Sequence, residues 1–413
     1  MIYLDHAAAT PVSKKALEAM MPFFSEDFFN PSAAYYPAKL VREKYETAKG
    51  KIANLIGAKA NDLVITSGAT ESNQLAFSCL LTPVNPVIEA RSENNKNFAK
   101  NPAKTSRKNL LEAPEVLVLE TEHSAVLENA KRFSFALVKV DKYGLINLDD
   151  LKEKLSEKTR LISVSLANNE LGTVQPLAEI AELVRKERMN RLKSGNLTPL
   201  YLHSDASQAL NLIDISVSRL GVDLLTLNSP KVYGPKGVGA LYVSHDVKLN
   251  PIFLGGGQEN GLRSGTENVS GVIGFATAFE EAKKHLSSER KKYEKLTKIL
   301  ETELKEAKIE PKFLKPKKSS LANFCPVCFA GLDAERLIYK LEEKGVYLST
   351  GAACAASKGK KSHVLKAIGL SDAEIAGSLR ISLGKLNDEE NVRLAGKLIR
   401  EAVDEEVERL KNV

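Results

Sequence analysis

The sequence predicts an α/β fold, a mostly parallel β-sheet covered by helices, followed by a smaller α+β lobe. Two features carry that expectation. Short β-rich runs alternate with helical patterns through the middle of the chain, and the character changes after about Gly271, where a long charged helix begins. A length of 413 residues, with 43% apolar and 27% charged residues, suits two joined lobes with filled cores.

The β-rich runs fall at 63–66, 116–119, 161–166, 201–203, 224–227 and 239–243. Between them lie helical patterns such as 177–192, where Leu177, Ile180, Leu183 and Val184 recur on one face. In a sheet of this kind ligands gather at the carboxyl ends of the strands. The later lobe reads as a helix over 272–307, strands at 324–329, 346–349 and 379–382, and helices over 333–344 and 388–411. The first dozen residues are expected to pack on this smaller lobe. The stretch 88–112 interrupts the pattern: polar, rich in Asn and Lys and without periodicity, it reads as a basic surface insertion.

Composition excludes several classes. Four cysteines, Cys79, Cys325, Cys328 and Cys354, are too few for a disulfide framework in a chain of this length. Cys325 and Cys328 form a CxxC, but no second pair stands at zinc spacing, and buried thiols are expected there. The start has neither the basic head nor the apolar block of a signal peptide, and no apolar run is long enough to span a membrane. A cytoplasmic protein is expected. The net charge of +7 suits an acidic partner, but no motif points to direct nucleic-acid binding.

The chemistry starts from Asp205, which follows a β run, and from Lys231, which follows the next one. An acid and a lysine so placed match the needs of pyridoxal phosphate (PLP): the amine forms a Schiff base, and the carboxylate keeps the pyridine nitrogen protonated. Alone the pair is weak, since such residues more often form a surface ion pair. In TSGATESN (66–73) a β run breaks at Gly68 and small hydroxyl residues open a helix. Its free amides and the Thr70 hydroxyl make a phosphate cradle, although an ordinary helix cap explains Thr70 and Glu71 equally well.

Ten motifs in order then resemble the cysteine desulfurases of the iron–sulfur-cluster type, in the class V aminotransferase branch of fold-type I PLP enzymes. They are YLDHAAATP (3–11), NPS (30–32), TSGATESN (66–73), TEHSAVL (121–127), NNELG (168–172), DASQ (205–208), KVYGPKGVGALYV (231–243), GGGQENGLRSGTEN (255–268), STGAACAAS (349–357) and LRISLG (379–384). The resemblance spans nearly the whole chain, the 88–112 insertion excepted. It implies a mostly parallel seven-stranded sheet in a large domain, 15–265, and a small α+β domain, 1–14 with 266–413, carrying the catalytic cysteine loop.

The resemblance also implies roles. Lys231 matches the Schiff-base lysine, Asp205 the partner of the pyridine nitrogen, and Gln208 and Asn169 the residues on the ring's phenolic oxygen side. His123 matches the histidine stacked on the ring, where it also shuttles protons. Ala69 and Thr70 match phosphate ligands, and Asn228 stands where it can join them. Thr266 matches a phosphate ligand donated by a second subunit, which implies a homodimer. Arg380 matches the residue that binds the substrate's α-carboxylate, with Asn169 beside it.

Cys354 decides the reaction. It lies among small residues in 349–357 with Lys358, Lys360 and Lys361 close by, a composition that suits a mobile, reactive thiolate. The implied activity converts L-cysteine to L-alanine and leaves a persulfide on Cys354 for an acceptor protein, an iron–sulfur scaffold or a tRNA-thiolating enzyme. A lyase or transaminase of the same branch needs no such thiol, and a non-catalytic scaffold needs none of these residues. Two departures stand out: Pro230 replaces the family's histidine before the lysine, and NPS runs on to Tyr35 and Tyr36 instead of a histidine.

Overall fold

The computed structural model describes residues 1–81, 115–350 and 361–412. The 88–112 insertion and Cys354 lie outside the described residues. In chain order the first strands are β1 (Ile2–Tyr3), β2 (Leu63–Thr66), β3 (Glu115–Leu119), β4 (Ser134–Val138), β5 (Thr159–Ser163), β6 (Tyr201–Asp205), β7 (Leu224–Asn228) and β8 (Gly239–Val243). Seven of them make one sheet in the order β2-β8-β7-β6-β5-β3-β4. Strand β8 runs antiparallel to both neighbours and every other pairing is parallel.

Alternation along the strands divides the core in two. Leu63, Ile65, Leu117, Leu119, Ile162, Leu225 and Leu227 join one buried cluster. Val64, Val116, Val118, Leu161, Leu224 and Leu241 join another. A sheet buried on both faces explains why its strands read as near-continuous apolar runs. The exception is β4, which the sequence reading missed. It sits at the sheet edge with Phe135 and Leu137 exposed, so its pattern carries little burial signal. The 161–166 run is ladder only as far as Ser163. Beyond it the amides of Val164 and Leu166 still donate to His203 and Asp205 carbonyls, at 3.0 and 2.9 Å.

The smaller lobe contains β9 (Lys312–Phe313), β10 (Val327–Cys328), β11 (Val346–Tyr347), β12 (Ser349–Thr350) and β13 (Ser378–Arg380). Four form an antiparallel sheet, β12-β13-β10-β9, while β1 pairs in parallel with β11. The first residues therefore lie on this lobe, and Asp5 adds a bridge to Ser382. The expected helices at 333–344 and 388–411 are Ala334–Glu343 and Glu389–Lys411, each preceded by a capping aspartate, Asp333 or Asp388. The long helix Val269–Lys305 packs against Tyr36–Leu55 and Glu389–Lys411. Cys325 and Cys328 are buried; burial pushes the Cys325 thiol up to about 12 and raises that of Cys328. No helix among the described residues is long and apolar enough to cross a membrane.

Two histidines are locked inside. His203 bridges the central sheet, its Nδ1 2.8 Å from Ser163 Oγ and its Nε2 3.1 Å from Thr226 Oγ1. His6 is wedged between Tyr3 and Gly384, whose added Cβ would meet the ring at 2.0 Å. Burial lowers both to about 4.

Two predictions follow from this packing. A Cβ at Gly239 would stand 2.8 Å from Gly68 Cα and 2.7 Å from the Leu227 carbonyl. Gly239→Ala should therefore cost about 1–3 kcal/mol by overpacking, read as a lower midpoint of urea unfolding. An unchanged midpoint would contradict the close approach of these strands. For the histidines, the unfolded chain binds protons from about pH 6.5 downward, whereas the folded one does so only near 4. Their contribution is thus complete above about pH 6.5 and is lost as pH falls toward 4. His203→Asn should flatten the stability slope in that window, and an unaltered slope would refute the assignment.

Candidate active site

The carboxyl ends of β6 and β7 in the central sheet carry Asp205 and, just beyond β7, Lys231. Asp205 ends β6 and is only 7% exposed. Its Oδ1 accepts from the Ser207 amide at 2.9 Å and its Oδ2 from Asn73 Nδ2 at 2.8 Å. Both of these hydrogen-bond partners are neutral. A buried carboxylate of this kind calls for a cation beside it.

Lys231 closes a one-turn 3-10 helix, Ser229–Lys231, just past β7. Its amine donates to the carbonyls of Ala7 at 2.7 Å and Ala8 at 2.6 Å, and Gln208 Nε2 donates to the same Ala7 carbonyl at 3.0 Å. Lys231 and Gln208 thus meet over the N-terminal segment.

Between β2 and the helix Ala69–Phe77 stands Gly68, at φ +148°, a conformation that L side chains rarely adopt. The first-turn amides of that helix, those of Ala69 and Thr70 among them, have no side-chain cap. Asn228 Oδ1 would stand 3.6 Å from a Cβ at Gly68, so its amide side chain faces the cradle. Ser229 Oγ is buried and makes no hydrogen bond among the described residues. Glu71, whose carboxylate accepts from the Ser67 amide at 2.8 Å and from Arg263 Nε at 2.9 Å, braces the turn.

His123 caps the helix Ser124–Ala130: its Nδ1 accepts from the Ala125 amide at 3.1 Å, which leaves the proton of the neutral ring on Nε2. Desolvation by the surrounding protein lowers its pKa, Asp205 opposing and the Lys231 and His363 charges assisting. The preceding Glu122 is buried, and burial pushes its carboxyl up to about 8 although the Ser165 amide, at 2.6 Å, and hydroxyl both donate to it. His363 Nε2 lies 2.9 Å from the Glu122 carbonyl and ties the smaller lobe to this corner.

Arg380, on β13, is 4% exposed. One arm donates to Asp5 Oδ1 at 2.7 Å and the other to the Asn169 carbonyl at 3.4 Å. Its buried Nε makes no hydrogen bond among the described residues, so the fork retains a donor for a carboxylate. Thr266 is exposed, on the loop that follows Arg263, and is not brought into contact with the others. Cys354 lies outside the described residues.

These residues fit pyridoxal phosphate. A buried carboxylate with neutral hydrogen-bond partners suits a protonated ring nitrogen, a lysine follows the neighbouring strand, and uncapped first-turn amides suit a phosphate. Sequence reasoning quoted Asn73, Asp5 and Glu122 inside its motifs but assigned them nothing. Each acts on a residue far along the chain or on a distant element, and only their polarity within apolar surroundings could have flagged them.

The comparisons with known proteins agree with this geometry. The class-V aminotransferase family model matches residues 2–101 and 92–394. "Cysteine desulfurase IscS 1" from Archaeoglobus fulgidus is 38% identical over 400 residues, covering 95% of this chain and 94% of the relative. "Cysteine desulfurase IscS" from Methanosarcina thermophila is 35% identical, covering 100% and 93%. A solved structure described as a NifS-like protein superposes with a TM-score of 0.80 at 32% identity, covering 97% of this chain and 98% of that one. With its seven-stranded sheet and its ordered motifs, the chain belongs to the cysteine desulfurases of the class-V aminotransferase family.

Proposed function

We propose that this enzyme takes sulfur from L-cysteine, releases L-alanine and holds the sulfur as a persulfide on Cys354 for delivery to an acceptor protein. An iron–sulfur scaffold and a tRNA-thiolating enzyme are the acceptors this reading favours. The observation that carries it is Asp205, a carboxylate buried at the strand end with neutral hydrogen-bond partners.

PLP, when bound, supplies an electron sink that acidifies the substrate Cα–H and makes its C–S bond cleavable. Asp205 keeps the ring nitrogen protonated. The Lys231 amine, once free, takes the Cα proton, and its two carbonyl partners steady the resulting ammonium. His123, whose Nδ1 accepts from the Ala125 amide, would offer the bound cofactor an imidazole with its proton on Nε2. Arg380 and Asn169 orient the substrate carboxylate, with Asp5 fixing the guanidinium plane. The Cys354 thiolate attacks the substrate sulfur: an S–S bond forms, the C–S bond breaks, and its electron pair stays on Cβ, which takes up a proton. Cysteine plus thiol thus becomes alanine plus persulfide, in balance.

The same reading makes the enzyme a cytoplasmic homodimer in which Thr266 reaches the phosphate of the neighbouring subunit. Its exposure, on a loop tied to the cradle helix through Arg263 and Glu71, supports that role. It also divides the chain into a large domain, 15–265, and a small one, 1–14 with 266–413. The pairing of β1 with β11 favours this boundary.

The test is to incubate the holoenzyme with L-cysteine and a thiol reductant. Wild type should yield alanine and sulfide in equal amounts, and Cys354→Ala neither; a mutant that matches wild type refutes the assignment of the nucleophile. Arg380→Lys loses the planar fork, a change of about 1.5–3 kcal/mol for a charge-assisted hydrogen bond, and should raise KM for L-cysteine by roughly 10- to 100-fold. A KM within twofold of wild type would remove Arg380 from the substrate site.

A further inference from the structure

We propose that the N-terminal segment Ala7–Thr10 is the positioning element for Lys231, with Thr10 as the clamp that fixes the lysine's backbone from both sides. The inference rests on the reading of Lys231 as the residue that binds the cofactor and moves the proton, and adds what holds it in place.

Thr10 is 6% exposed, and its single hydroxyl is used twice. It donates to the Pro230 carbonyl at 3.0 Å, immediately before Lys231, and accepts from the Tyr233 amide at 3.0 Å, two residues after it. The Thr10 amide adds a second, longer bond to the Pro230 carbonyl at 3.3 Å, and the Ser13 amide donates to the Tyr233 carbonyl at 2.8 Å. The same segment takes the other end of the lysine, since the amine lies on the Ala7 and Ala8 carbonyls. Backbone and side-chain tip are therefore registered to one stretch of chain.

The turn needs such a restraint. Tyr233 is a bulky residue at φ +64°, an unfavourable conformation that persists only where its surroundings impose it. Those surroundings are the Thr10 hydroxyl on its amide, Ser13 on its carbonyl, and its own phenol oxygen, which accepts from the Lys385 amide at 2.7 Å. With proline at 230 the turn has one amide fewer, so the carbonyl of that residue is its available anchor. A reacting group displaced by about 1 Å costs on the order of 10²-fold in rate, so a clamp on the backbone of Lys231 acts on its amine.

Thr10→Val keeps the shape and removes both hydroxyl bonds, Thr10→Ser keeps the hydroxyl, and Thr10→Ala serves in place of valine should that variant not fold. The holoenzymes are compared by the pH midpoint of the visible absorption band of the lysine-bound cofactor, and by kcat and KM for L-cysteine. The valine or alanine variant should shift the midpoint by more than about 0.5 pH unit and lower kcat about tenfold, with KM changed less than threefold. Thr10→Ser should restore the midpoint and most of kcat. A midpoint identical to wild type in the hydroxyl-free variant overturns the clamp, as does equal impairment of serine and valine. Lys231→Ala provides the separate control: if the band survives that change, the reading of Lys231 itself fails and takes the inference with it.

Discussion

The carboxylate of Asp205 is the constraint around which the site is arranged. Placing a charge at 7% exposure is unfavourable unless hydrogen bonds and an opposite charge offset the lost hydration. The chain provides two hydrogen bonds from neutral donors, one from the amide two residues on and one from Asn73. The structure thus stores a demand for positive charge at the end of β6. A protonated ring nitrogen would meet that demand, which is the role proposed for Asp205 toward the cofactor. The strand order explains the location: β6 lies at the centre of the sheet, between β5 and β7, where both faces are covered.

The second organising element is the chain's first ten residues. Asp5 holds Arg380, Ala7 and Ala8 receive Lys231, Ala7 also receives Gln208, and Thr10 grips the turn beyond the lysine. These residues belong to the turn after β7, the loop after β6, and β13, elements attached to two different sheets. A short strand paired with β11 fixes the segment at one end. The residues proposed for substrate carboxylate binding and proton transfer thereby share a common frame, although their side chains come from positions 5 to 380.

How much of this was legible follows from what sequence can carry. The runs at 63–66 and 239–243 are β2 and β8 to the residue, because strands buried on both faces announce themselves as apolar runs. Asp333 and Asp388 marked helix starts because capping is a local interaction. The edge strand β4 and the two-residue strands β1 and β9 were silent, since pairing that short depends on the partner and not on composition. In the site, Asp205, Lys231, His123 and Arg380 were legible as chemistry within motifs. Their supports were not: Asn73 reaches Asp205 across 132 residues and Asp5 reaches Arg380 across 375, separations over which no periodicity extends.

The replacement of the family's histidine by Pro230 changes which groups would hold a phosphate on the proposed reading. Around Gly68 the groups in place are the first-turn amides of the helix Ala69–Phe77 and the Asn228 side chain, while the buried Ser229 hydroxyl lies against Gly234. None of these titrates near neutrality, so the grip rests on neutral donors and the positive end of a helix. Gly234 completes the arrangement, because a Cβ there would fall 2.2 Å from Ser229 Oγ and expel it. The proline removes an amide from the turn and withdraws an imidazole. The serine beside it is buried against Gly234, with its hydroxyl unpartnered among the described residues. On the proposed reading, the departure from the family pattern would exchange a titratable phosphate ligand for fixed ones and leave His123 as the imidazole at the site.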